Sequence, residues 1–112
     1  MEMKLYEKHF NNIKNKTKKI EVRLFDEKRR KLKVGDIISF VKLPGPDEKI
    51  SVKVKGLSIF GSFHSLYSTF DAELFAHPKD ITVEGQIERK RVIYSEEDEK
   101  RHGVLGIHLE FI

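Results

Sequence analysis

The chain contains no cysteine and no tryptophan, and only three prolines and seven glycines in 112 residues. Without cysteine there is no disulfide scaffold, no cysteine-based zinc site and no thiol nucleophile. No apolar run approaches the ~20 residues that a membrane-spanning helix needs, and no hydrophobic leader segment follows Met1. These absences point to a cytoplasmic protein with no membrane association. The five histidines are dispersed, with no His-x-His or His-x3-His pair to suggest a metal centre. No nucleophile elbow and no phosphate-cradling glycine-rich loop is present, so neither a metal nor a cofactor is expected.

The length fits one domain, residues 1–112, large enough to bury a core without staples. No repeat, low-complexity stretch or linker interrupts it. Charge is the more informative property. The chain carries a net +4, but residues 1–60 hold 16 basic and 8 acidic side chains, whereas residues 61–112 hold 6 and 10. Ten of the basic residues fall between Lys14 and Lys33, against three acidic ones. So polarised a chain suits an anionic partner, because a basic face attracts phosphates over about a Debye length. A solvated, lysine-rich surface is the plainer alternative.

Periodicity gives a coarse order of elements. Tyr6, Phe10 and Ile13 stand at i, i+4 and i+7, which predicts an amphipathic helix from Met3 to about Lys14. Ile20, Val22 and Leu24 alternate with Lys19, Glu21 and Arg23, the period of a half-buried strand. Residues 26–33 are charged and favour helix, and Val34-Gly35-Asp36 supplies a turn. Ile37 to Leu43 and Ile50 to Val54 flank the loop signal Pro44-Gly45-Pro46-Asp47 and predict an antiparallel hairpin, with Gly56 at a bulge. Short helices are expected in 62–75, in 83–93 and after the Ser95 cap, with Gly103 as a helix stop and a closing strand at 105–111. So few strands are best accommodated in an α+β fold built on a small barrel of about five to six strands with peripheral helices.

Chemistry concentrates in Lys18-Lys19-Ile20-Glu21-Val22-Arg23. On a strand, Lys19, Glu21 and Arg23 share one face, a charge triplet spanning about 7 Å. It is either an exposed strand face of weak pairs, each contributing ~0–1 kcal/mol, or the mouth of a ligand pocket. In a pocket, Arg23 would hold a phosphate or base edge and Glu21 would accept from an exocyclic amine. The run Asp26 to Lys31 reads either as a phosphate-contacting element or as a helix with internal ion pairs. Phe60, Phe63, Tyr67, Phe70 and Phe75 suit a core stripe better than a stacking surface.

The blocks Lys18 to Leu24, Asp26 to Arg30, Lys33 to Ile38, Ser62-Phe63, Tyr94 to Glu99 and Gly103 to Ile107 resemble the ASCH (activating-signal-cointegrator homology) domain. The resemblance spans nearly the whole chain and implies a PUA-like β-barrel. It also implies binding of RNA or a nucleotide in a cleft beside the motif G-x-K-x-x-E-x-R. Lys18, Glu21 and Arg23 occupy the K, E and R, and Lys16 stands where glycine is expected. Lys16, Lys19, Arg29 and Arg30 would then supply phosphate contacts. One ASCH-like group deacetylates N-acetylcytidine with a lysine, a threonine three residues on and a distant glutamate. The resemblance places these at Lys18, at Glu21 (where threonine is replaced) and, nearest in kind, at Glu84. A carboxylate cannot carry an acyl group as that hydroxyl does, so an amidohydrolase of this chain would use Glu21 as a base on water. A third expectation, from another class, is a protein-interaction domain whose basic face meets an acidic partner.

Overall fold

A computed structural model describes residues 1–45 and 47–112. The chain opens with a short strand, β1 (Glu2–Tyr6), and only then enters helix α1 (Glu7–Lys14). The expected helix from Met3 is therefore too long by its first turn. Met3 and Leu5 alternate inward, and the strand runs parallel to β3 (Ile37–Leu43) with Met3 opposite Phe40. A five-residue alternation overlapped by a helical stripe is hard to separate by period alone. Tyr6, counted in that stripe, is 68% exposed, while Phe10 and Ile13 are fully buried.

The remaining elements are β2 (Ile20–Leu24), β4 (Lys49–Phe60), α2 (Phe63–Thr69), α3 (Val83–Arg91), α4 (Glu96–His102) and β5 (Val104–Phe111). The hairpin β3–β4 forms as the sequence predicts, and the register of β4 on β5 shifts between Val54 and Gly56, at the expected bulge. Ser62, Thr82 and Ser95 each cap a helix by accepting from the backbone N–H three residues on. The charged segment 26–33 forms no regular helix. Asp26 accepts from the Arg29 backbone N–H, a single 3-10 turn covers Arg29–Lys31, and only Leu32 is buried. Without an apolar stripe, the segment has nothing to hold a longer helix against the core.

The five strands make one mixed sheet in the order β1-β3-β4-β5-β2. It curls into a small PUA-like half-barrel. Inside it lie Met3, Leu5, Phe10, Ile38, Phe40, Val52, Leu105 and Ile107. A second cluster, Ile20, Val22, Leu24, Phe63, Leu66, Tyr67, Phe75 and Val104, packs α2 on the other face of β2 and β5. Gly106 makes that approach possible: a Cβ there would lie 3.1 Å from Leu66 Cδ1 and 3.4 Å from Ile20 Cγ2. β2 is thus covered on both faces, not on one. The ladder ends at β1 on one side and at β2 on the other, and across the seam Arg23 Nη2 donates to the Lys4 carbonyl at 3.2 Å.

Candidate functional site

The site begins with how α1 ends. Lys16 adopts φ +62°, and its N–H reaches the Ile13 carbonyl at 3.0 Å while that of Thr17 reaches Asn12 at 2.9 Å. These two bonds form a Schellman motif, which needs a left-handed residue at the position Lys16 holds. Here lies the physical meaning of the glycine expected at this place. Lysine tolerates the conformation at a cost of ~1–2 kcal/mol relative to an unstrained backbone. The Lys18 N–H is drawn to the same Asn12 carbonyl at 2.9 Å, and the Lys18 side chain turns into the protein, 6% exposed.

There it meets Glu21. Lys18 Nζ lies 2.6 Å from Oε1, and Arg23 Nε donates to Oε2 at 2.8 Å. Glu21 stands opposite Ile107 in the β2–β5 ladder, so its carboxylate points towards the half-barrel interior and is only 3% exposed. Burial alone would raise its pKa, but the neighbouring Lys18 and Arg23 charges, with Lys90, reverse this and hold the carboxyl well below its usual range. Glu21 is therefore a fixed anion between two cations and a weak base.

Two adjoining cavities of about 420 and 200 Å³ open beside this triad and share His9, Lys18, Val22, Lys90 and Ile93. The smaller lies in the seam, between Lys4 to Tyr6 of β1 and Glu21 to Arg23 of β2. The larger reaches Tyr67, His77 and Arg89. Six cationic side chains line the two: Lys4, Lys8, Lys18, Arg23, Arg89 and Lys90. Among the described residues, Glu21 is the single carboxylate. Burial pushes the Lys90 ammonium down to about 8, an effect Glu21 opposes and Lys18 and Arg23 reinforce. Burial likewise lowers His77 to about 4, although its Nδ1 bonds Gln86 Oε1 at 2.8 Å, and lowers His9, with Lys18 adding to the effect. Both imidazoles are neutral at pH 7. Burial and the nearby Glu21 charge raise Tyr67, whose hydroxyl has no hydrogen-bond partner.

The sequence-derived candidates divide by place. Lys18, Glu21 and Arg23 come together. Lys19 stands one residue before β2, away from the triad, with its ammonium 5.2 Å from the centre of the Phe111 ring. Arg29 pairs with Asp26 at 3.0 Å, while Arg30 lies 4.2 Å over Phe25 and donates to the His102 carbonyl. Lys16 is exposed at the cap, and Glu84 is exposed in the first turn of α3. None of Lys16, Lys19, Arg29, Arg30 or Glu84 lines either cavity. Sequence reasoning did not single out His9, His77, Arg89 or Lys90. The one available signal was the Arg89-Lys90-Arg91 run at the end of α3, hidden within the acidic half of the chain.

The ASCH domain profile matches residues 3–112. A hypothetical protein designated PH0355, known from a crystal structure, is similar with 39% identity and a TM-score of 0.84, over 99% of this chain and 97% of that one. Protein PF0455 from Pyrococcus furiosus, solved in solution by NMR, is 37% identical with a TM-score of 0.70, over 98% and 96% of the two chains. No curated protein matches the chain.

Proposed function

The chain belongs to the ASCH domain family, and we propose that it is a binding module that takes RNA or a nucleotide in the cavities beside the β1–β2 seam. The observation that carries the reading is the charge of their lining. Six cations surround the space, and the one carboxylate is already neutralised by Lys18 and Arg23. Of the remaining cations Lys4, Lys8 and Arg89 are exposed and Lys90 is partly shielded from water, where its charge favours an anion more than it would on an open surface. Tyr6, exposed at the rim of the smaller cavity, offers an aromatic face on which a base can stack. The conspicuous surface run 28–31 contributes only at longer range.

The alternative, amidohydrolase action on N-acetylcytidine, finds less support in the site. Glu21 occupies the place of the acyl-bearing hydroxyl, and its depressed pKa makes it a poor base for activating water. Fluorescence anisotropy with a labelled single-stranded RNA at two salt concentrations tests the reading. Affinity should fall with salt with a slope near −0.7 per phosphate contacted. Arg89→Ala should weaken binding and flatten that slope. Salt-independent affinity, or none, would remove the reading. Turnover of N-acetylcytidine that Glu21→Gln abolishes would replace it with the hydrolase.

A further inference from the structure

We propose that the larger cavity is a receptor for a terminal phosphate monoester, carried either by a mononucleotide or by the phosphorylated end of an RNA strand. This deepens the nucleotide reading and rests on it. Three features of the cavity point to such an end group, as opposed to a phosphodiester within a strand.

The first is unmatched cationic charge. Lys18 and Arg23 are spent on Glu21, but Lys8, Arg89 and Lys90 have no carboxylate within ion-pair distance among the described residues. Lys90 is half-buried at this wall, where an ammonium without an anion is poorly solvated. The second is Tyr67, buried, whose side chain lines the same cavity and whose hydroxyl has no protein hydrogen-bond partner. Buried hydroxyls are almost always hydrogen-bonded, so a ligand oxygen that shifts the Tyr67 ring enough to reach this donor would satisfy it. The third is valence. A monoester carries ~1.5–2 negative charges at neutral pH and three terminal oxygens, against one charge and two such oxygens for a diester. The partly buried Lys90, with the exposed Lys8 and Arg89 beside it and a hydroxyl that lacks a protein partner, suits the greater charge of the monoester. His9 and His77, both neutral, leave that charge balance unaltered.

The test is binding of one single-stranded RNA in three forms, with 5′-hydroxyl, 5′-phosphate and 3′-phosphate ends, and of a nucleoside monophosphate and inorganic phosphate as competitors. The phosphorylated end that fits should bind about tenfold tighter than the hydroxyl end, equivalent to about 1.4 kcal/mol. Lys90→Met and Tyr67→Phe should each bring that ratio towards one. Tyr67→Phe removes a hydroxyl without a partner, so its fold, followed by thermal melting, should hold. Binding of the monophosphate in the absence of RNA binding also supports the proposal and identifies the mononucleotide as the source. Equal affinity for all three ends, or a ratio that survives both substitutions, overturns the proposal while the RNA-binding reading stands. Failure of every probe to bind overturns both.

Discussion

Replacing Glu21 by glutamine removes the one charge that holds two buried cations. The side chains of Lys18 and Arg23 are 6% and 14% exposed, and Glu21 lies within 2.6 and 2.8 Å of them. Removing one member of a buried ion pair costs ~3–5 kcal/mol, because the partners stay buried and unpaired. Glutamine still offers an oxygen to Arg23 Nε, which puts the expectation at the lower end, ~3 kcal/mol. A domain of this size has a total stability on the order of 6–17 kcal/mol, so the variant should fold but melt ~12 °C or more below the parent. The double variant Lys18→Met/Glu21→Gln should regain part of the loss, since one orphaned cation goes with it. The pH dependence follows from the depressed Glu21 pKa. A carboxyl whose folded-state pKa is lowered contributes its stability in full above its usual value of 4.5, and loses it as the pH falls through the lower folded value. Urea denaturation at pH 7 and pH 3 should therefore show a large gap between parent and Glu21→Gln that narrows in acid. A gap below ~1 kcal/mol at pH 7, the range of exposed pairs, would refute the buried triad.

Lys16→Gly should be more stable than Lys16→Ala by ~1 kcal/mol, because only glycine relieves the left-handed strain; equal melting temperatures would contradict the Schellman geometry. Gly106→Val should destabilise by ~1–3 kcal/mol by forcing α2 from the sheet, read by denaturant midpoint, with no effect expected if the helix were loosely docked. Lys90, lowered by burial from its usual 10.5 to about 8, carries its full burial penalty below pH 8 and sheds it as the pH rises to 10.5. Without ligand, Lys90→Met should therefore exceed the parent in stability at pH 7, and the difference should shrink by pH 10; a constant difference would place Lys90 in free solvent.

Much of the fold was legible because local chemistry and tertiary structure agree. The Ser95 cap, the Gly56 bulge and the alternation of β5 all act within a few residues of where they are read. β1 was not legible, since its two inward residues acquire meaning only through the parallel partner β3, some 37 positions on, as in the pairing of Met3 with Phe40. The motif Lys18, Glu21, Arg23 was legible as a cluster, but its burial was not. Alternation suggests an outer charged face, whereas β2 lies between two cores and its charged face closes the seam. Lys90 and Tyr67 come from α3 and α2, far along the chain, and no spacing rule connects them to Glu21. The charge run 28–31 illustrates the converse, with its prominent arginines bound to Asp26, Phe25 and a backbone carbonyl.

The most direct test of the seam cavity as the ligand site is a nitrogen-15 NMR titration of the protein with single-stranded RNA. Shifts confined to Lys18, Glu21, Tyr67, His77 and the end of α3 around Lys90 are the predicted result. Shifts centred on the 28–31 turn, or on the separate groove where Ser58 Oγ meets His108 Nε2 at 2.7 Å, with the seam unmoved, would contradict it.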